Sequence, residues 1–158
     1  MKHIGSNEAL DIMMGDKPAD AMDVQHGGDH YKKMVIQPFE MSLANDYDGA
    51  VHSILKYVHR HGDKGGAEDL DKAAHIAQIR AVQIEKWGVR IVARNAIPMK
   101  TYISKNGIEQ PEAEVLLGLH SWAVSRPNLV APGYHTTCAA LMVAAIEELK
   151  QERYGDSE

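Results

Sequence analysis

Between Asn45 and Lys86 apolar residues recur at helical intervals on both sides of a glycine-rich break, and this pattern constrains the fold more than any other feature. Val51, Ile54, Leu55 and Val58 fall at three- and four-residue steps, the period of one apolar helical face. Such a face needs a covering partner. Leu70, Ala73, Ala74, Ala77, Ala81 and Ile84 supply one made mostly of small side chains, which lets two helices approach closely. Gly62, just past the last periodic residue, is placed to take a left-handed capping conformation. The first helix is therefore predicted to run from an N-cap at Asn45, with Asp46 and Asp48 in its first turn, to about His61. The second runs from about Ala67 to Lys86, with Glu68 and Asp69 at its positive end. The product is a helical hairpin with Asp63-Lys64-Gly65-Gly66 at its corner.

Eight Met, a single Phe and 6% aromatic residues favour helix packing by small and adaptable side chains over a sheet sandwich, so the fold class is mainly α. A first short helix is expected near Ile36 to Ala44, with Pro38 at an early position where its missing N–H is harmless. Residues 89–93 and 99–104 are β-compatible runs that can pair as a short β-hairpin. Pro111 to about Ala123, and a helix capped by Thr136 or Thr137 and running to about Arg153, form a C-terminal helical pair. This divides the chain into a flexible N-terminal arm at 1–29, a helical core at 30–88, and a region at 89–158, a short β-hairpin plus the C-terminal helical pair, that serves packing or oligomerisation.

A net charge of −5 argues against a partner as long and as uniformly anionic as nucleic acid, whose phosphates demand clustered positive charge. There is no run of eighteen apolar residues, so no membrane span is expected, and the lone Cys138 cannot form an internal disulfide, which fits a reducing cytoplasm. The basic residues that do cluster lie around the hairpin corner. His52, Lys56 and Arg60 stand at i, i+4 and i+8, one stripe on one helix. Lys64, Gly65 and Gly66 can cradle a phosphate with backbone N–H groups, helped by the charges of Arg60 and Lys72; alternatively the glycines serve turn geometry alone. Lys33 adds charge, and Tyr31 or Tyr57 can stack on or hydrogen-bond a base. Asp69 can hold a magnesium-bound water or a ribose hydroxyl, or simply favour a helix start. Nine histidines include no HExxH or Cys–His framework, so no protein-held metal is expected.

The ordered set His30-Tyr31-Lys32, Ile36-Gln37-Pro38, Lys56-Tyr57, Arg60, Lys64-Gly65-Gly66, Glu68-Asp69-Leu70 and Lys72-Ala73 resembles the small bacteriophage protein family that includes the early deoxynucleoside monophosphate kinase of T-odd coliphages. The resemblance covers His30 to Ala73. It departs where relatives commonly carry Gly-Asn and this chain has His52-Ser53, which leaves room for a changed substrate preference or a lost activity. The resemblance implies phosphoryl transfer from ATP, with Mg2+, to a deoxynucleoside monophosphate without the usual phosphate loop. In that reading Lys56, Arg60 and Asp69 are catalytic, and His30, Tyr31, Lys33, Gln37, His52, Tyr57, Lys64, Gly65, Gly66 and Lys72 bind substrate. The setting it implies is the host cytoplasm.

Two other functions fit the same residues. One is a non-catalytic nucleotide-binding or host-interaction protein that uses the C-terminal pair as its contact surface. The other is an all-α nucleoside triphosphate pyrophosphohydrolase, for which Glu68 and Asp71 supply an E-x-x-D half of a magnesium cage while the preceding helix has no matching E-x-x-E. Small-residue helices and apolar pairs in the arm point to a homo-oligomer.

Overall fold

The computed structural model describes residues 30–88, 91–125 and 132–155. The expected arm at 1–29, the start of the first β-compatible run at 89–90, and residues 126–131 and 156–158 lie outside the described residues. The chain divides into two compact units, Met1–Met34 and Val35–Glu158. In the first, the Met34 N–H donates to the Tyr31 carbonyl at 3.1 Å, closing a turn, and the His30 and Tyr31 rings lie 4.2 Å apart.

Among its described residues the second unit has six helices: α1 (Pro38–Asn45), α2 (Gly49–Arg60), α3 (Gly66–Trp87), α4 (Met99–Asn106), α5 (Glu112–Ala123) and α6 (Tyr134–Tyr154). The mainly α class is as expected. Val51, Ile54, Leu55 and Val58 on α2 are fully buried, and the α3 face of Leu70, Ala73, Ala74, Ala77, Ala81 and Ile84 is buried as well. Each such Val, Leu or Ile contributes roughly 1.5–3 kcal/mol by leaving water. Helix α3 packs most extensively on α6 and next on α2, and α5 covers the other side of α2. Ala139, Met142, Ile146 and Leu149 of α6 belong to the same core. The C-terminal helix is thus one wall of the unit and not an appendage. No described helix is long and apolar enough to cross a membrane.

Several boundaries differ from those expected, each for a physical reason. The cap of α2 is Asp48, whose side chain accepts from the Val51 N–H at 3.0 Å; its other oxygen takes Arg80 Nε at 3.0 Å, and that guanidinium lies 4.4 Å over the Trp122 ring. Asn45 is instead a fully buried bridge to a distant segment, donating to the Ile97 carbonyl and accepting from the Ile97 N–H, both at 2.8 Å. No strand occurs among the described residues, and the second run of the expected β-hairpin is helix α4. Met99 and Tyr102, three apart, are both buried, and Gly107 at φ 63° stops the helix by returning its N–H to the last turn. Burial at helical spacing outweighed the β-preference of Thr101, Tyr102 and Ile103. Helix α6 is capped three or four residues earlier than predicted, by a left-handed Gly133, while Thr136 donates to Glu85 at 2.6 Å.

Tyr102 presents its hydroxyl to His59 Nδ1, with the rings edge-on at 83°. Burial depresses the His59 pKa to about 4, against the opposing pull of Asp63. The unfolded chain takes up this proton near pH 6.5 and the native state does not, so the stability is present above that value and is lost as pH falls from 6.5 toward 4. The loss is expected to be on the order of 1–3 kcal/mol. Urea unfolding at pH 7 and pH 4.5 checks it, and His59→Gln should flatten the difference.

Candidate functional site: the cationic corner between the second and third helices

The turn joining α2 to α3 is held by its own backbone. The N–H groups of Asp63 and Lys64 donate to the Arg60 carbonyl, each at 2.9 Å, and that of Gly66 donates to the His61 carbonyl at 3.0 Å. The left-handed residues are Gly65 at φ 85° and Gly66 at φ 54°, not Gly62. Two of the three amides expected to cradle a phosphate, those of Lys64 and Gly66, are therefore already committed. What the corner offers an anion is side-chain charge.

That charge gathers on Tyr57. Lys56 Nζ lies 4.9 Å, Arg60 Cζ 5.0 Å and Lys72 Nζ 6.0 Å from the centroid of its half-buried ring. The negative face of an aromatic ring attracts cations, so Tyr57 holds like charges together that would otherwise repel. Two of the three are compensated. Arg60 donates Nε to Asp69 Oδ2 at 2.8 Å and Nη2 to Oδ1 at 3.3 Å, a two-pronged pair in which Asp69 is 1% exposed and Arg60 15%. Lys72 pairs with Glu68 at 2.6 Å, and this hydrogen bond raises its pKa. Lys56 and Lys64 pair with no carboxylate among the described residues. His52, one turn before Lys56, lies with Nδ1 2.9 Å from Ser42 Oγ. Burial and then the Lys56 charge lower its pKa, so His52 is a neutral hydrogen-bonding group facing an uncompensated cation.

Gly65 explains how Asp69 reaches Arg60. A Cβ on Gly65 would sit 2.2 Å from Asp69 Cγ, so the carboxyl occupies the space the missing side chain leaves. Asp69 is a locking residue, and its expected part in holding magnesium or a ribose would compete with Arg60.

A second group of side chains, which no sequence pattern singled out, closes the corner from behind. His61 is buried, with Nδ1 2.7 Å from Tyr154 Oη and Nε2 3.1 Å from Glu112 Oε1. Arg153 grips Glu112 with Nε and Nη2, both at 2.9 Å. Burial pushes the Glu112 carboxyl up, but the hydrogen bonds from Arg153, from its own backbone and from His61 outweigh that and hold it below the usual range. These partners are 51 and 93 positions from His61 in the chain, and no local spacing announces them.

The structure thus brings together His52, Lys56, Tyr57, Arg60, Lys64, Gly65, Gly66, Asp69 and Lys72 along α2 and the start of α3. Gln37 is the N-cap of α1, and its neighbour Pro38 makes a backbone hydrogen bond with His52. His30, Tyr31 and Lys33 belong to the other unit. No group of three or more His, Cys, Asp or Glu converges among the described residues, and Asp69 is already committed. The carboxylates of this corner that the structure describes are engaged by cations and do not make a cage for a magnesium ion. No family model, no curated protein and no solved structure matches the chain.

Proposed function

We propose that this corner binds the phosphate of a nucleotide and that the protein transfers a phosphoryl group from ATP to a deoxynucleoside monophosphate, acting as a homo-oligomer in the cytoplasm of a phage-infected host. The observation that carries the reading is Lys56, an uncompensated ammonium held at an aromatic ring beside two cations that are already neutralised. Phosphoryl transfer asks a protein mainly to position two nucleotides and to meet the charge on the equatorial oxygens. In this reading Lys56 meets the phosphate, Lys64 adds charge from the turn, His52 offers a neutral hydrogen bond, and the Arg60–Asp69 lock fixes the corner. Pyrophosphate hydrolysis is the weaker reading, because Glu68 and Asp71, its required carboxylates, are each paired with a lysine, Lys72 and Lys150, at 2.6 Å.

Incubating the protein with ATP, magnesium and each deoxynucleoside monophosphate should yield a diphosphate; pyrophosphate released from a triphosphate would replace this reading with the hydrolase. Lys56→Ala should weaken nucleotide binding about ten- to a hundredfold, as for one charge-assisted contact of roughly 1.5–3 kcal/mol, with the melting temperature unchanged. Unaltered titration curves for a folded Lys56→Ala would remove the site from this helix.

A further inference from the structure

We infer that Tyr154, the last residue of α6, is a positioning residue for the anion site at the α2–α3 corner, an inference that rests on the nucleotide-binding reading above. The carbonyl of His61 accepts the Gly66 N–H at 3.0 Å and the Tyr154 hydroxyl at 3.1 Å, so one oxygen joins the turn to the end of the chain's last helix. The same hydroxyl lies 2.7 Å from His61 Nδ1, and the two rings meet edge-on, 5.6 Å apart at 78°. A Cβ on Gly66 would lie 4.0 Å from Tyr154 Cε1, an ordinary van der Waals contact, so the tyrosine ring packs directly beside the turn. Glu112 takes the other side of the His61 ring, and Arg153, the neighbour of Tyr154, fastens Glu112 from α6.

The consequence lies in what hangs on the turn. Lys64, which like Lys56 pairs with no carboxylate among the described residues, lies on it, and Gly65 leaves the space in which Asp69 meets Arg60. Fixing His61 therefore holds the backbone that carries Lys64 in place relative to α2, which carries Lys56 and Arg60. Tyr154 acts through His61 and needs no contact with the ligand. A preorganised charge pair binds a phosphate better than the same two lysines on a loose turn, because less ordering is left to do on binding.

The test uses the full chain, with ATP and the deoxynucleoside monophosphates, each with magnesium, as probes in calorimetric titrations well below the melting temperature. Tyr154→Phe keeps the ring and deletes the hydroxyl. It should raise the dissociation constant about five- to tenfold, as for one or two lost hydrogen bonds, with little change in melting temperature. Amide exchange at Gly66 should quicken in this variant while that of the buried α2 residues stays as it was. A merely structural tyrosine would instead lower the melting temperature and leave affinity in the folded protein untouched. Wild-type affinity in Tyr154→Phe, whether or not Gly66 exchange quickens, overturns the inference. A wild-type chain that binds none of the probes overturns the nucleotide reading itself, and the positioning role with it. If Tyr154→Phe melts near the assay temperature, Glu112→Gln, which leaves the ring and hydroxyl in place, takes its place: weakened binding supports the positioning role, and wild-type affinity overturns it.

Discussion

Replacing Asp69 with alanine is expected to lower stability by about 3 kcal/mol, the low end of the range for removing one partner of a buried ion pair, since Arg60 keeps a partial view of solvent. A loss of that size corresponds to a drop of about 10 °C in melting temperature for a unit of this length. The cost arises because the guanidinium, already drawn out of water, is left without its carboxylate. Arg60→Ala should cost a similar amount by exposing the opposite charge. The Arg60→Met, Asp69→Leu double variant should recover much of the loss, because two apolar side chains of like volume need no partner. Urea melts of the four proteins decide the matter. Additive losses in the double variant would mean that the two side chains act independently and that no lock exists.

The second large effect is expected at Gly65. Alanine there meets two penalties. The left-handed backbone at φ 85° costs an L-residue about 1–2 kcal/mol, and the new methyl would overlap the Asp69 carboxyl. Asp69 must then swing away, and the ion pair is lost as well, so Gly65→Ala should cost about 4 kcal/mol or more. Gly62→Ala is the control: it lies in the same turn with nothing within 4 Å of a Cβ and no left-handed strain. It should change stability by no more than a few tenths of a kcal/mol. Adding Asp69→Ala to Gly65→Ala should cost little further, because the pair is already broken. Equal melting temperatures for Gly65→Ala and Gly62→Ala would refute the close approach of the carboxyl.

The pairing of α2 with α3 was legible because it is local: a 3.6-residue period, a glycine break and a second period, all within one stretch of chain. The stripe of His52, Lys56 and Arg60 was legible for the same reason. What the stripe does was less so, because the compensation of Arg60 by Asp69 depends on the conformation of Gly65, and spacing alone does not report a backbone angle. Asn45 reads as a cap from its neighbours, yet its amide matches both backbone groups of Ile97, 52 positions away. Met99 to Asn106 carries β-compatible side chains, and only the burial of Met99 and Tyr102 against the rest of the core makes it a helix. The misreadings of Asn45 and of Met99 to Asn106 share one cause: a tertiary partner out of sight of the local pattern.

The span between His61 and Tyr154 also bears on the order in which the molecule is made. The α2–α3 hairpin closes between neighbours in sequence, so it can form early and fast. Its corner does not receive its full set of hydrogen bonds until a residue 93 positions later has been synthesised, has left the ribosome and has docked with the last turn of α6. A nascent chain therefore carries the charged stripe long before it carries the fastening, and the corner becomes rigid only once Tyr154 has arrived.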